Sequence, residues 1–359
     1  MHNLLDSDAL VLTRAMLTDS TTGTMVFRTT EAGWRVRLGA DPVVTRLGTD
    51  QTNRSLIIDG QMVLKLFRQP VPGPHPEIEL GRYLGRFLHT PPLLGEAWCG
   101  EAAVAVLHGY LPNQGDAWTV TLARMNQSRY QIMAHTLGVR VAELHRALVA
   151  PTSDPAFVPE PVTAADLLAW RDRVFATAET ARQALLALGG GGEVLLARWP
   201  EVSATIQALV PDRITAVKTR LHGDLHLGQF VVADEDFYVL DFEGEPTRPL
   251  SQRRAKDTPL RDVAGMLRSF NYAAETAGGA GAWETMAAAA FLEGYRATED
   301  AAWPAEPEAA RRLLALLVLE KALYEIAYEA VHRPEWVRVP VAGVVRILDD
   351  GTNEQYRRI

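Results

Sequence analysis

Two aspartates and an amide side chain follow one another at a spacing that suits phosphoryl transfer. The segment 222–229 reads HGDLHLGQ, so that Gln229 stands five positions after Asp224, and Asp241 follows within VLDFEG at 239–244. Phosphoryl transfer needs a carboxylate that takes the proton of the acceptor hydroxyl, and oxygen ligands that hold Mg²⁺. We therefore predict that Asp224 is the catalytic base and that Gln229 and Asp241 bind magnesium. A chance His-Gly-Asp beside a surface hairpin is the alternative.

The residues around this motif have less specific roles. His222 is predicted to hold the loop in place, whereas His226 could face the acceptor or pack. Asp262 stands at the start of a predicted helix, where capping is the usual role of an aspartate. In kinase-like folds an aspartate at such a position also supports the catalytic loop.

Lys65 is a candidate for binding the phosphates of ATP. It lies in the apolar run VLKLF at 63–67 and is the first of four lysines among 36 basic residues. A cation in such a strand is costly to bury without a partner, and kinases pair it with ATP phosphates and a helix glutamate. We predict Glu79 as this partner, with Glu77 as the second choice. A solvent-facing lysine on an edge strand is the alternative.

A polar loop precedes the strand before Lys65. The segment 50–55 reads DQTNRS and contains no glycine, although kinases place a glycine-rich loop there. We predict that Gln51, Thr52, Asn53 and Ser55 bind phosphate through their side chains. An ordinary polar turn would look the same.

The predicted secondary structure that must position these residues changes along the chain from mainly strands to mainly helices. Strands are predicted at 24–29, 34–38, 43–47, 55–58, 62–67, 102–107 and 118–122, with a hairpin turn at Asp59-Gly60 and a helix at 77–87. Helices are predicted at 130–148, 163–188, 202–209, 260–274, 283–296 and 309–331, interrupted by a glycine-rich break at 189–192 and a short hairpin at 230–232 and 238–240. This order predicts an α+β, protein-kinase-like two-lobed fold, with a small antiparallel β N-terminal lobe and a larger helical C-terminal lobe.

Length and composition limit the possible functions. A chain of 359 residues is long enough for two lobes. We predict a short β cap at 1–40, a nucleotide-binding lobe at 41–112 and a helical lobe with the catalytic loop and acceptor site at 113–359. The net charge of -8 argues against a nucleic-acid partner. The single cysteine and the lack of a signal-like or membrane-spanning segment predict a cytoplasmic protein with no membrane partner. We expect a monomer or dimer.

The sequence resembles the maltokinases and, more closely in size, the glucosamine kinases of the aminoglycoside-phosphotransferase-like superfamily. The matching stretches are DQTNRS at 50–55, VLKLFR at 63–68, the block from 222 to EGEP at 243–246 and DTPLRDVAGMLRSF at 257–270, and LEKALYE at 319–325 with RPEW at 333–336. The resemblance implies that Asp224 is the base, that Gln229 and Asp241 hold Mg²⁺, and that Lys65 contacts ATP. About forty residues precede the nucleotide lobe, fewer than in maltokinases, which favours glucosamine as the acceptor and glucosamine 6-phosphate as the product.

An aminosugar acceptor requires a carboxylate close to its ammonium group. The predicted acceptor residues, besides Asp224, are His226, Glu243, Glu245, Glu320, Tyr324 and Trp336. The alternatives are a helix surface for Glu320 with Tyr324 and core packing for Trp336, while Lys321 with Glu325 suggests a helix ion pair. The alternative functions are a maltokinase that makes maltose 1-phosphate, an aminoglycoside-type phosphotransferase, and a nucleotide-binding scaffold without activity. The fold must bring residues 65, 224, 229 and 241 together around the nucleotide and its metal.

Overall fold

The computed structural model describes residues 6–47, 54–127, 129–279, 281–299 and 302–349. These residues form two compact units, of which the first is drawn from Met1–Gln114 and Tyr238–Arg254 and the second from Gly115–Phe237 and Ala255–Ile359. The sequence had assigned Tyr238–Arg254 to the helical lobe. The segment joins the first unit because Val239 donates its amide to the carbonyl of His89 and accepts from the Thr90 hydroxyl.

The strands of the described chain form one large sheet and two small ones. The large sheet has the order β1-β2-β6-β7-β5-β4-β3, and β8 pairs with β9 and β10 with β11. The strands are β1 (Thr21–Thr22), β2 (Met25–Thr29), β3 (Val44–Leu47), β4 (Arg54–Ile58), β5 (Met62–Leu66), β6 (Leu93–Cys99), β7 (Ala102–Gly109), β8 (Glu160–Pro161), β9 (Val217–Lys218), β10 (Phe230–Ala233) and β11 (Asp236–Val239).

Helices dominate the second unit. In chain order the helices are α1 (Asp6–Leu17), α2 (Pro76–Tyr83), α3 (Ala117–Arg124), α4 (Tyr130–Leu148), α5 (Ala164–Leu188), α6 (Glu193–Ala197), α7 (Trp199–Leu209), α8 (Leu250–Arg253), α9 (Leu260–Thr276), α10 (Gly281–Ala297), α11 (Pro307–His332) and α12 (Arg338–Asp349). No helix within the described parts of the chain combines the length and apolar character needed to cross a bilayer.

The large sheet is antiparallel throughout its described strand pairs, and Lys65 lies near its middle. Strand β5 runs between β4 and β7, and Lys65 stands opposite Ser55 on one side and Val106 on the other. The edge-strand alternative for Lys65 is therefore wrong. The turn between β4 and β5 has positive φ angles of 54° at Asp59 and 62° at Gly60, as expected of a tight hairpin.

Each face of this sheet is covered by a helix. Helix α1 places Ala9 and Met16 in a core with Leu56 and Leu64. On the other face Ile78 of α2 packs in a second cluster that includes Val106, the strand partner of Lys65. The face that carries Lys65 is thus the face that α2 covers.

Most of the predicted helices of the second unit are confirmed. Helix α4 has the predicted bounds, and α5 begins after Thr163, whose hydroxyl forms a capping box with Asp166. Helix α4 packs against α10, and α11 packs against α5 and α9. Helix α9 is buried along most of its length, so that it can act as a rigid support.

Two of the predicted strands and one predicted strand pairing are wrong. The segment 118–122 lies in α3 rather than in a strand, because Asp116 caps the helix by accepting from the amide of Thr119 at 2.6 Å. The strand predicted at 34–38 is replaced by a 3₁₀ turn at Gly33–Arg35. The predicted β cap contains α1 as well as β2, and the partner of β7 is β6.

Candidate active site

Lys65 is the centre of a cluster of charges in the first unit. Its ammonium lies 2.6 Å from a carboxylate oxygen of Asp241, 2.6 Å from one of Glu243 and 3.7 Å from one of Glu77. Burial by itself would lower the pKa of Lys65, but these three carboxylates together raise it well above its usual value. The lysine is therefore a fixed positive charge at neutral pH.

The backbone at Asp241 turns so that two carboxylates reach the same lysine. Asp241 has a φ of 61°, a left-handed conformation that aspartate adopts more readily than most residues. Phe242 is 2% exposed and packs inward, while Glu243 contacts Lys65. Burial and the neighbouring carboxylates raise the pKa of Glu243, although Lys65 opposes this effect. Glu243, predicted to contact the acceptor, thus lies in the cluster around Lys65.

The predicted pairing of Lys65 with Glu79 is wrong, and the second choice, Glu77, takes its place. Helix α2 begins at Pro76, and residues two positions apart do not share a helix face. Glu77 is 2% exposed and also lies 3.0 Å from Nε2 of His108. Glu79 turns away and accepts two hydrogen bonds from Arg254, at 2.7 and 2.8 Å.

This arrangement predicts different effects for the two glutamates. We expect Glu77→Gln to lower kcat/KM for ATP roughly 10- to 100-fold, because a buried hydrogen-bonded charge is lost beside Lys65. Glu79→Gln should lower it less than about fivefold, because its pair with Arg254 is partly exposed. Steady-state kinetics with varied ATP measure both, and equal losses would contradict the assignment.

The polar loop before β4 lies mostly outside the described residues. Gln51, Thr52 and Asn53 fall there, so their predicted contact with phosphate remains a prediction. Ser55 lies in β4 directly opposite Lys65. Directly opposite residues of neighbouring strands point to the same face of a sheet, so Ser55 shares the face of Lys65.

The predicted catalytic loop, in the second unit, is held in place by Asp262. One oxygen of Asp262 accepts from the amide of His222 and the other from the amide of Gly223, both at 3.0 Å. The loop needs glycine at 223, where φ is 83°. Helix α9 also approaches at Gly265, where a Cβ would lie 2.4 Å from the carbonyl oxygen of Leu225. The supporting role considered for Asp262 is thus observed.

Asp224 stands directly after this supported turn and faces a lysine. Its carboxylate lies 3.4 Å from the ammonium of Lys321 on α11. Burial would raise the pKa of Asp224, but the charges of Lys321, His226 and His222 outweigh it and lower the pKa below its ordinary value. Lys321 was predicted to pair with Glu325, which instead binds Arg268 at 2.6 Å.

The contact with Lys321 predicts a change in the pH dependence of the reaction. In Lys321→Met the burial of Asp224 is no longer opposed by this charge, so its pKa rises. The acidic limb of kcat/KM against pH should therefore move towards neutral pH. Lys218→Met, which removes a lysine paired with Asp166, is the control and should leave the limb in place. An unchanged limb in Lys321→Met would contradict the role of this pair.

Gln229 and His226 belong to the same loop as Asp224. A short 3₁₀ turn at Leu227–Gln229 follows His226, whose Nδ1 accepts from the amide of Gly228 at 3.1 Å. Gln229 donates its amide to the carbonyl of His226 at 2.9 Å. The loop therefore places both predicted residues close to Asp224 in the chain, and their roles remain predictions.

Two of the predicted acceptor carboxylates are buried in ion pairs. Glu320 is 2% exposed and accepts hydrogen bonds from Arg173 and Arg261. Burial raises the pKa of Glu320, but the two guanidinium groups lower it to about 2. Glu245 is 4% exposed and pairs with Arg248 in the first unit. Glu320 therefore does not lie on an exposed helix surface, and that alternative is wrong.

The two predicted aromatic acceptor residues lie in the second unit. The ring of Tyr324 lies 4.8 Å from the ammonium of Lys321 and stacks on Tyr328. Trp336 is nearly parallel to Tyr272, with 6.5 Å between ring centroids. Tyr324 is thus next to the lysine that binds Asp224, whereas Trp336 takes part in a separate stack.

Sequence reasoning missed Lys321. The scarcity of lysine was the available signal, because only four lysines occur beside 32 arginines in the set of 36 basic residues. Two of the four, Lys65 and Lys321, contact residues predicted to be catalytic or metal-binding.

An antiparallel sheet that carries a buried lysine, and a helical unit that carries a supported His-Gly-Asp loop, define a kinase-like phosphotransferase. Residues 43–300 match the model of the phosphotransferase enzyme family, and the chain belongs to that family. The predicted α+β, protein-kinase-like fold class and the enzyme class are thereby confirmed.

Two relatives that match most of this chain are named glucosamine kinases. The glucosamine kinase of Mycolicibacterium smegmatis is 34% identical over 331 residues, covering 85% of this chain and 79% of its own. That of Streptacidiphilus jiangxiensis is 30% identical over 340 residues, covering 87% of this chain and 75% of its own. A solved glucosamine kinase in complex with glucosamine, ADP and inorganic phosphate is 26% identical, with a TM-score of 0.72 over 95% of this chain and 82% of that chain. The resemblance predicted from the sequence is confirmed.

Proposed function

We propose that this protein is an ATP-dependent glucosamine kinase that transfers the γ-phosphoryl group of ATP to glucosamine and forms glucosamine 6-phosphate. Two relatives that match most of the chain carry that name, and a solved relative holds glucosamine and ADP. The family match spans both Lys65 and the catalytic loop. Neither a maltokinase nor an aminoglycoside phosphotransferase has comparable support.

One structural observation carries the phosphoryl-transfer part of this proposal, namely the surroundings of Lys65. An ammonium group held in the middle of a sheet, with Asp241 and Glu243 each at 2.6 Å, places a cation suited to phosphate beside carboxylates suited to a metal ion. The side chain of Asp241 is 41% exposed, so that its carboxylate remains accessible to a metal ion. Phosphoryl transfer depends mainly on such positioned charges.

The oxygen donors of the chain fit magnesium. Asp241 and Glu243 offer carboxylate oxygens and Gln229 an amide oxygen, which are the ligands that Mg²⁺ prefers. We propose that Asp241 and Gln229 hold the metal ion, which neutralises charge on the phosphates when it is bound. Lys65 binds the phosphates, and Asp224 orients the acceptor hydroxyl and takes its proton.

The acceptor contacts are proposed from the groups around Asp224. His226 follows Asp224 in the loop, and Tyr324 lies beside Lys321. Both offer polar groups to a sugar hydroxyl. Glu320 holds two arginines, so we assign it a structural role instead. We further propose that the enzyme acts in the cytoplasm as a monomer or dimer without a nucleic-acid partner.

A substrate panel tests the proposed function. ADP release is measured with glucosamine, glucose, maltose and an aminoglycoside at equal concentration. We expect the highest kcat/KM with glucosamine and identify the product by mass and by its phosphorus NMR spectrum. A preference for maltose or the aminoglycoside, or activity with none of the four, would refute the glucosamine assignment.

The proposed metal site yields a further prediction. Asp241→Asn should weaken Mg²⁺-dependent nucleotide binding by roughly 10- to 100-fold or more, since loss of groups that only support metal ligands already has effects of that size. Calorimetric titration of an ATP analogue with and without Mg²⁺ measures the change. Asp234→Asn is a matched control, because Asp234 also has a positive φ, of 51°, but lies in an exposed turn. Unchanged Mg²⁺ dependence in Asp241→Asn would contradict the assignment.

A further inference from the structure

A buried line of hydrogen bonds connects helix α10 to the catalytic loop. The hydroxyl of Tyr295 lies 2.7 Å from Nδ1 of His145, and Nε2 of His145 lies 3.1 Å from Asp262. Tyr295 and His145 are 0% exposed and Asp262 is 2% exposed. Asp262 in turn accepts from the amides of His222 and Gly223, directly before Asp224. The line therefore ends next to the proposed catalytic base.

The direction of these hydrogen bonds follows from the chemistry of the groups. The carboxylate of Asp262 can only accept, so Nε2 of His145 donates to it. When the ring is neutral, Nδ1 accepts a hydrogen bond, and the hydroxyl of Tyr295 donates it. Burial raises the pKa of Tyr295 well above its ordinary value, which keeps that hydroxyl protonated. Each of the three buried side chains thus has a defined donor or acceptor role in this series of hydrogen bonds.

Close packing of two helices holds Tyr295 in place. A Cβ at Gly138 on α4 would lie 1.9 Å from the carbonyl oxygen of Phe291 on α10, and one at Gly294 would lie 2.1 Å from that of His135. The helices can approach this closely only because both residues are glycines. The ring of Tyr295 also meets Trp303 edge-on at 5.7 Å. The close packing of α4 against α10 and the ring contact with Trp303 therefore both hold Tyr295 in place.

We propose that Tyr295 is a positioning residue for phosphoryl transfer, which fixes the ring of His145 and through Asp262 sets the place of Asp224. The proposal rests on the proposed function, since it requires Asp224 to act on the acceptor. Tyr295 touches neither the nucleotide nor the acceptor in this role. Its removal should consequently change kcat and leave KM for ATP nearly unchanged.

Tyr295→Phe tests the proposal, because it removes the hydroxyl and keeps the ring. We expect kcat to fall roughly tenfold, the effect of leaving one buried hydrogen-bonding group without its partner. Tyr130→Phe is a matched control, since Tyr130 is 4% exposed in the same unit and its hydroxyl lies 2.8 Å from that of Thr121. Equal effects of the two variants on kcat would overturn the proposal.

Amide hydrogen exchange supplies a measurement that does not depend on activity. In Tyr295→Phe the backbone amides of His222 and Gly223 should exchange faster than in the wild type. Tyr130→Phe should leave their exchange rates unchanged. Faster exchange in a protein inactive on glucosamine would refute the proposed function and keep the positioning role. Unchanged exchange would overturn the positioning role whatever the substrate.

A double-mutant cycle separates positioning from general destabilisation. In His145→Gln the ring acceptor is lost, while the amide can still donate to Asp262. Tyr295→Phe should then lower kcat little further in this background, because the two residues act through one line. Fully additive losses would overturn the proposed link.

Discussion

Asp224→Asn is expected to lower kcat by roughly 10²- to 10⁴-fold, the contribution that a positioned base makes to catalysis, while nucleotide affinity stays nearly unchanged. The reason lies in the surroundings of Asp224. Its loop is held by Asp262, and Lys321 at 3.4 Å helps to keep its pKa below the ordinary value. The carboxylate is thus charged and fixed at neutral pH, as the orientation of an acceptor hydroxyl requires.

Two measurements on the same preparation test this expectation. Coupled ADP release gives kcat, and calorimetric titration with an ATP analogue gives the affinity for nucleotide. Asp172→Asn serves as the control, because Asp172 is a surface residue of the second unit paired with Arg171. If Asp224→Asn reduced nucleotide affinity as strongly as turnover, Asp224 would belong to the nucleotide site and not to the acceptor.

Lys65→Met should have two large effects, one on nucleotide binding and one on stability. The variant removes the cation assigned to the phosphates and leaves Glu77, Asp241 and Glu243 close together without a counter-charge. Breaking a buried ion pair by removing one partner typically costs about 3–5 kcal/mol of unfolding free energy. The lysine side chain is only 11% exposed, so solvent screens this loss little.

The destabilisation should decrease as the pH falls. Without Lys65 the clustered carboxylates have folded-state pKa values above their unfolded ones, so that protonation at low pH favours the folded form. Denaturant unfolding at several pH values measures this, beside nucleotide titration. Lys218→Met, which removes a lysine 16% exposed and paired with Asp166, is the control and should leave nucleotide binding intact. Unimpaired nucleotide binding by Lys65→Met would contradict the proposed site.

Elements with strong local signals were predicted well. Helices α4, α5, α9, α10 and α11 follow the period of their apolar residues, and the Asp59-Gly60 hairpin follows from turn chemistry. Segments whose local preference competes with a cap or a close approach were predicted wrongly. Val and Thr in 118–122 favour a strand, but the cap at Asp116 starts a helix. At Gly33 the neighbouring carbonyl of Leu94 leaves no room for a side chain.

The residues of the candidate site also divide into those that the sequence could predict and those that it could not. Asp224, Gln229 and Asp241 could be predicted because their spacing along the chain is itself the signal of the chemistry, and Lys65 because it interrupts an apolar strand. The partners of these residues could not, because they come from distant segments. Lys321 lies 97 positions from Asp224, and nothing in the local sequence distinguishes its contact with Asp224 from a helix ion pair with Glu325.

The sequence by itself determined the class of chemistry and the broad order of sheet and helices, and it predicted the residues that bear the reactive groups, since all of these depend on side-chain type and short spacing. The tertiary structure alone decided that Glu77 rather than Glu79 meets Lys65, that Glu243 joins the same cluster, and that Glu320 is held by Arg173 and Arg261. These contacts depend on how each helix is rotated about its own axis and on where the chain folds back on itself. A helix turned by two residues exchanges its buried and exposed carboxylates, and only the packed structure fixes that rotation.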